Sequence, residues 1–303
     1  METRQLSKGG PQVPVMCLGG NPLGSIMGRV SKDQAIATIH AALEVGITFI
    51  DTAEIYRDSE AFIGEALRGR RDEVFLSTKL SGDHSGESIE RAICNSLRAL
   101  DTDYIDLYQL HNPWPEFPIE ETMGRLLRHQ NAGRIKYIGI SNFSADQAEE
   151  ALGYAPIHSV QYGYSLLYRD AEEFILPWCQ DNDIGVLAYA ALAKGLLSGQ
   201  YRPGHEFPPD DQRREILNFH GNNFRRIYEA TERLKGWAAD HGRDLVHLAI
   251  AWTLAHPAVT SALVGAKTPD QVRHNVKALD WKLTAEELKE IDTVQDSLRL
   301  STH

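Results

Sequence analysis

The stretch Ile47-Thr48-Phe49-Ile50-Asp51-Thr52-Ala53-Glu54-Ile55-Tyr56 ends a short apolar run on a carboxylate and sets a phenol in the loop beyond it. Strands of a parallel sheet are buried on both faces, so a charge at the end of one is unusual unless it does something there. The pattern returns twice. Lys79 follows the run Val74–Thr78, and His111 follows Tyr104–Leu110. Where strands and helices alternate around a barrel, the C-terminal strand ends and the loops after them build the active site. Asp51, Tyr56, Lys79 and His111 would then meet at one mouth. A carboxylate, a phenol, an amine and an imidazole form a proton-relay set rather than a metal-binding one.

Working outward, the same rhythm of apolar run, loop and amphipathic segment fills the chain. Strand-like runs fall at Met16–Leu18, Thr48–Ile50, Val74–Ser77, Ile105–Leu110, Tyr137–Ile140, Ser159–Gln161, Gly185–Ala188 and Ala262–Val264. Helical spacing of apolar residues marks Asp33–Glu44, Ser88–Ala99, Glu120–Gln130, Asp170–Asp181 and Thr268–Ala278. Ser31, Ser144 and Thr268 stand at helix-cap positions. Eight alternations without a composition break predict an α/β fold, one closed (β/α)8 TIM barrel over residues 1–303. An open doubly wound sheet would want Gly-x-Gly-x-x-Gly after the first strand, and Gly19-Gly20-Asn21-Pro22-Leu23-Gly24 does not match. Met1–Val15, with Gly9-Gly10-Pro11 at its centre, reads as an N-terminal β-hairpin able to plug one end. Lys194–Asn223 reads as a long loop after the seventh strand, and Asp244–His256 as an extra helix. The expectation is a barrel with an N-terminal hairpin and two extra helices.

Composition narrows the function. Of 303 residues, 42% are hydrophobic, enough for a large core, and the net charge is −11. An acidic chain lacks the basic footprint that nucleic acid or an anionic membrane requires, so neither is expected as a partner. The three cysteines, Cys17, Cys94 and Cys179, are scattered, as in a reduced, cytoplasmic chain. Cys17 and Cys94 sit on apolar faces and read as core. No run approaches the ~20 residues of a membrane span, and Met1-Glu2-Thr3-Arg4 opens no signal peptide. No histidine pair shows ligand spacing beside a third donor, so no metal is expected. Nothing in the sequence fixes the number of copies.

The four strand-end residues suit carbonyl chemistry. A phenol with an ordinary pKa of ~10 is a weak acid and base unaided. Lys79 would favour the tyrosinate, Asp51 would hold Lys79, and His111 would orient a carbonyl or share its proton. Taken singly, each has an ordinary structural explanation: a buried ion pair, a core tyrosine, a capping histidine. These groups can relay protons, and none of them can supply a hydride.

These motifs resemble those of the aldo-keto reductases. Phe49-Ile50-Asp51-Thr52-Ala53-Glu54-Ile55-Tyr56 is similar to the family's signature after strand two. Ser77-Thr78-Lys79 resembles its lysine motif and Tyr108-Gln109-Leu110-His111 its histidine motif. Gly133-Arg134-Ile135-Lys136-Tyr137-Ile138-Gly139-Ile140-Ser141-Asn142-Phe143 is a further match, and the resemblance runs from about Arg4 to about Leu298. It implies reversible hydride transfer between nicotinamide and an aldehyde, ketone or sugar carbonyl, with Tyr56 as general acid and base. It implies that Ser141, Asn142 and Gln161 bond the carboxamide and that Tyr189 stacks on the ring. Ala190–Gly199 matches the loop around the pyrophosphate, with Leu192, Leu196 and Ser198 as contacts. Val264–Asn275 resembles the adenosine motif, at a helix start that favours an anion. There Lys267 would meet a 2′-phosphate, and Gln271 and Asn275 the adenine. Lys267 thus implies NADP(H), but some relatives carry arginine where Gln271 stands, and its absence weakens that preference, so NAD(H) is expected to be accepted as well. Glu60 matches a frequent family position, or caps the next helix. Asn21 is a candidate contact of cofactor or substrate. Trp114 and Phe117 follow His111 and are candidates for the pocket wall, while Tyr201, Phe207 and Phe219 could fold over it. The short tail Ser297–His303 suggests an open pocket suiting sugars or polar carbonyls, within the expected class of small carbonyl or alcohol substrates. The alternative is a nicotinamide-binding regulatory or sensor protein of the channel β-subunit type, and a lyase or hydrolase using these groups without nicotinamide is a further class.

Overall fold

In the computed structural model, which describes residues 1–296, eight parallel strands close on themselves. They are β3 (Met16–Gly19), β4 (Phe49–Asp51), β5 (Phe75–Leu80), β6 (Ile105–Leu110), β7 (Ile135–Ser141), β8 (Ser159–Gly163), β9 (Gly185–Tyr189) and β10 (Val259–Gly265). They follow one another in sequence order around the barrel, and β10 pairs with β3 to shut it. Each of the eight strand-like runs holds a strand, with ends shifted by up to three residues: Thr48 and Val74 fall outside, while β5 runs on to Leu80 and β10 begins at Val259.

Side-chain parity decides what faces the lumen. Phe49 and Leu107 point in, with Cys17, Leu187 and Leu263, and Phe75, Tyr137 and Tyr189 pack against them. Ile50, Leu76, Tyr108, Ile138 and Val160 alternate outward into the larger core under the helices. Two residues above the inward aromatic layer, the same parity brings Asp51, Ser77 and Gln109 into the lumen. Lys79 and Ser141 follow one step higher, beside Gln109 and Gln161 respectively.

β1 (Thr3–Gln5) and β2 (Gln12–Pro14) form the expected antiparallel hairpin. It stoppers the end opposite the mouth. Gly185 N at the foot of β9 donates to Leu6 O at 2.7 Å, and Leu6 and Val13 belong to the lumen cluster.

The barrel helices are α1 (Lys32–Glu44), α2 (Ser59–Ala66), α3 (Gly86–Ala99), α4 (Ile119–Asn131), α5 (Ala145–Leu152) and α6 (Ile175–Asp181). After β9 come α7 (Gly221–Asp240) and α8 (Leu245–Ala255), and after β10 come α9 (Pro269–Asn275) and α10 (Ala285–Asp296). Ser31, Ser144 and Thr268 each accept a backbone N–H as N-caps, Ser144 within a full capping box. Two expectations change. Asp170–Asp181 is not one helix: α6 begins only at Ile175, because Pro177 fits the first turn but not an interior one. The helix at Asp244–His256 is not the extra one. α8 is apolar nearly all round and packs on β10 as a barrel helix, so α7 and α10 are the additions. Among the described residues no helix is long and apolar enough to cross a membrane. The tail at Ser297–His303 lies outside them.

Candidate active site

Asp51 and Lys79 form the centre of the mouth. Lys79 Nζ donates to Asp51 Oδ1 at 2.5 Å and to Thr52 O at 2.7 Å. Lys79 is wholly buried and Asp51 is 2% exposed. A buried pair is costly unless its remaining valences are met, and here they are. Asp51 Oδ2 accepts from Gln109 Nε2 and from Gln161 Nε2, both at 3.0 Å. Gln109 Nε2 also donates to Ser77 Oγ at 2.8 Å. Gly139 permits this crossing. A Cβ there would lie 2.4 Å from Ser159 Oγ and 2.9 Å from Gln109 Cγ.

Tyr56 and His111 sit above this pair. Lys79 Nζ lies 5.4 Å from the centroid of the Tyr56 ring. Tyr56 and His111 meet edge to face, centroids 5.8 Å apart. His111 Nδ1 and Ser81 Oγ are 2.7 Å apart, leaving Nε2 as the nitrogen a ligand can reach. Glu54 fixes the turn that carries Ser81, accepting from Ser81 N at 2.6 Å and Gly82 N at 3.3 Å. Glu60, expected either at the site or as a cap, is buried and accepts from Thr78 Oγ1 at 2.6 Å. It braces α2 against β5.

Burial sets the charge states. It pushes the Tyr56 phenol up, and Lys79 pulls it back only in part. Burial works against the Lys79 ammonium, but the charges of Asp51 and Tyr56 outweigh it and leave the pKa raised. His111 is pushed down to about 3, by burial first and by Lys79 second. The resting arrangement is a neutral imidazole, a charged lysine and a protonated tyrosine. Lys79 does favour the tyrosinate, as the sequence suggested, but burial opposes it more strongly and leaves the phenol protonated at rest.

The expected cofactor residues divide into two groups. Ser141, at the end of β7, and Gln161, within β8, are buried side by side. Asn142 follows at φ 62°, a left-handed conformation that asparagine tolerates. Its Nδ2 donates to His111 O at 2.9 Å, and its Oδ1 accepts from Tyr189 OH at 2.8 Å. Asn21 Oδ1, beside Tyr56, is buried with no hydrogen-bond partner. An orphaned acceptor, a row of amides and an aromatic ring at one rim fit a flat, amide-bearing ring such as nicotinamide.

The second group lies farther round the rim. Ala190, Ala193 and Lys194 have φ of 58°, 47° and 57°, a cluster of backbone strain directly after β9. Leu196 is buried, Leu192 is partly buried, and Ser198 Oγ turns inward to donate to Gly195 O at 2.6 Å. Lys267 Nζ donates to Met27 O. Gln271 is exposed, its Oε1 accepting from Lys267 N at 2.7 Å, whereas Asn275 is buried. The two are thus not equivalent on the helix surface.

Of the candidate substrate residues, Trp114 is exposed and stands near His84, with ring centroids 6.3 Å apart. Phe117 is half-buried, its N donating to Trp114 O. Tyr201, Phe207 and Phe219 pack on one another and around Arg213 instead of standing free as a cover. The long loop is therefore a strap with its own small core. Gln212 N donates to Ile26 O at 3.0 Å, and Arg213 Nη2 to Met27 O at 2.9 Å.

Comparison with known proteins agrees with this arrangement. The model of the Aldo/keto reductase family matches residues 15–296. The chain belongs to the aldo/keto reductase family. It is 36% identical to the aldo-keto reductase YhdN of Bacillus subtilis, over 98% of this chain and 94% of the relative. It is 32% identical to the aldo-keto reductase yakc [NADP(+)] of Schizosaccharomyces pombe, over 95% of this chain and 90% of that one. The structure superposes on the glycerol dehydrogenase AKR11B4 of Gluconobacter oxydans with a TM-score of 0.87 at 32% identity, covering 95% and 93% of the two chains. Aldo-keto reductases are oxidoreductases that act on small carbonyl compounds with nicotinamide cofactors.

Sequence reasoning missed Gln109, Ser77, Glu54 and Arg213. Gln109 was legible as the one amide in the apolar run of β6, at the parity of His111. Arg213 pairs with Asp211 two residues away, but its contact with Met27 O comes from a distant segment and left no mark in the sequence.

Proposed function

We propose that this aldo-keto reductase interconverts a small aldehyde, ketone or sugar carbonyl and its alcohol, prefers NADP(H), and uses Tyr56 as general acid and base. The observation that carries the reading is the chain of contacts from Asp51 through Lys79 to Tyr56, with neutral His111 against the same phenol. A nicotinamide cofactor, when bound, supplies the hydride in reduction and takes it back in oxidation. Tyr56 gives its phenolic proton to the carbonyl oxygen as negative charge develops there. Lys79 stabilises the tyrosinate left behind, and Asp51 keeps Lys79 aimed at it. His111, neutral and held through Nδ1, points Nε2 at the carbonyl oxygen and fixes its approach. Ser141, Asn142 and Gln161 would bond the carboxamide, with Tyr189 against the ring. Leu192, Leu196 and the strained turn around them would line the pyrophosphate. Lys267 would take the 2′-phosphate, which the name of the Schizosaccharomyces pombe relative makes reasonable. Asn275 and Gln271 would flank the adenine. The name of the Gluconobacter oxydans enzyme puts polyols among the first alcohols to try.

The test is a panel of carbonyls and polyols, assayed in both directions with NADPH and with NADH. Turnover with NADPH on part of the panel is expected. A thermal shift with NADPH but no turnover on any member would favour the regulatory reading over the enzymatic one.

A further inference from the structure

Outside the catalytic cluster, α8 and α9 bring together a donor set that carbonyl chemistry does not use. Among the described residues, Asp244, His247 and His274 offer one ligand atom each, all within 4.8 Å of one another. Asp244 is the N-cap of α8, and its Oδ1 accepts from His247 N at 2.9 Å. Its Oδ2 lies 2.8 Å from His274 Nε2. The imidazoles of His247 and His274 stack with centroids 4.5 Å apart.

His247 decides the chemistry. It is 8% exposed. Its Nε2 lies 3.0 Å from His274 O, which can only accept, so in the neutral ring Nε2 carries the proton. Nδ1 is then a bare lone pair. It is buried without a hydrogen-bond partner and stands 3.4 Å from Asp244 Oδ1, itself an acceptor. Two acceptors facing each other at that distance repel unless a proton or a metal ion joins them. A metal-ligating histidine typically donates its other ring N–H to a backbone carbonyl, which fixes the tautomer. His247 already does so.

We propose that Asp244, His247 and His274 bind a zinc-class divalent metal ion, clipping the start of α8 to the end of α9. Two imidazoles and one carboxylate select nitrogen-binding metals such as zinc over magnesium or calcium. Tetrahedral zinc wants bonds of ~2.0–2.2 Å to nitrogen and oxygen, with water able to take a fourth position. His247 is fixed, while Asp244 and His274 are partly exposed and can close on the ion. On binding, the metal replaces the proton between His274 Nε2 and Asp244 Oδ2. That proton passes to His274 Nδ1, or to solvent if the ring was charged. The site is hidden in the sequence because His274 lies on another helix, 27 residues beyond His247.

The experiment uses the full chain without an affinity tag, dialysed against chelator. Thermal unfolding is followed with added zinc and with added magnesium, and cobalt(II) serves as a spectroscopic probe. Zinc but not magnesium should raise Tm, and one cobalt per chain should give the intense visible absorption of low-coordinate cobalt. Asp244→Asn keeps a good N-cap, and His274→Ala alters a half-exposed residue, so both variants should fold. Each should weaken zinc affinity at least ~10-fold, the lower end of what loss of a mere supporting group costs. The absence of any zinc-specific rise and of the cobalt signal in the wild-type chain overturns the proposal. So does undiminished metal binding in both variants, which would place the ion at other histidines.

Discussion

At the scale of single residues, Tyr56 and His111 have separable roles. Tyr56→Phe keeps the ring against His111 and removes the proton. Turnover should fall by at least ~10²-fold, the scale of a general acid, with NADPH affinity nearly unchanged. Stopped-flow turnover beside a binding titration checks this, and near-normal turnover would remove Tyr56 from the chemistry. The pH dependence follows from the directions of the shifts. With its pKa pushed down to about 3, His111 is neutral through the whole working range. Carbonyl reduction should therefore show no inflection near ~6.5, the ordinary histidine value. Oxidation needs tyrosinate. Burial raises the phenol and delays its ionisation, so oxidation should climb as pH becomes alkaline while reduction declines. A step near neutrality that vanishes in His111→Asn would show instead that the imidazole carries the proton.

Elements determine which contacts hold the strap between β9 and α7. Arg29 reaches Asp210 on it at 3.1 Å, but the guanidinium side chain is 91% exposed. Such a pair adds little, because water and salt screen it. Arg213 is the opposite case. It is 6% exposed, bonds Asp211 through Nε and Nη2 at 2.9 and 2.6 Å, and donates to Tyr201 OH at 2.6 Å. Removing it strands the buried Asp211 carboxylate, which costs roughly 3 kcal/mol. Arg213→Ala should lower Tm and expose the strap to limited proteolysis, whereas Arg29→Ala should do neither. Equal behaviour of the two variants would mean that the aromatic cluster alone holds the strap. The strap also marks where the sequence stops being legible. Strands and caps announce themselves through period, parity and local hydrogen bonds, as Ser144 and Gln147 do. Pro177 shortened α6 by a rule visible in the sequence. Arg213 could not be read, since its role depends on Met27, which the folded barrel brings across the mouth.

For the molecule as a whole, the question is how a chain of net charge −11 would hold a polyanionic cofactor. The four proposed catalytic residues were readable because each stands at a strand end or in the loop just beyond one, and closure of the barrel necessarily brings strand ends together. The charge balance of the cofactor rim was not, because it depends on tertiary neighbours. Lys267 reaches from the end of β10 to Met27 O, where Arg213 and Asp211 also converge around Gly28. Its pKa is lowered, by burial first and by Arg213 next, with Asp211 opposing. Two cations thus face one carboxylate, leaving a local positive excess on an acidic molecule. A 2′-phosphate placed there would relieve the repulsion between Lys267 and Arg213, whereas the plain ribose of NADH would not. A charge-assisted bond to phosphate contributes ~1.5–3 kcal/mol, roughly ten- to a hundredfold in affinity. Lys267→Ala should lose about that factor for NADPH and almost none for NADH. The wild-type preference should also shrink as salt rises, since this rim is only partly buried. Titrations of both cofactors at low and high salt would decide it, and equal losses for the two would reduce Lys267 to a tether for the loop at Met27.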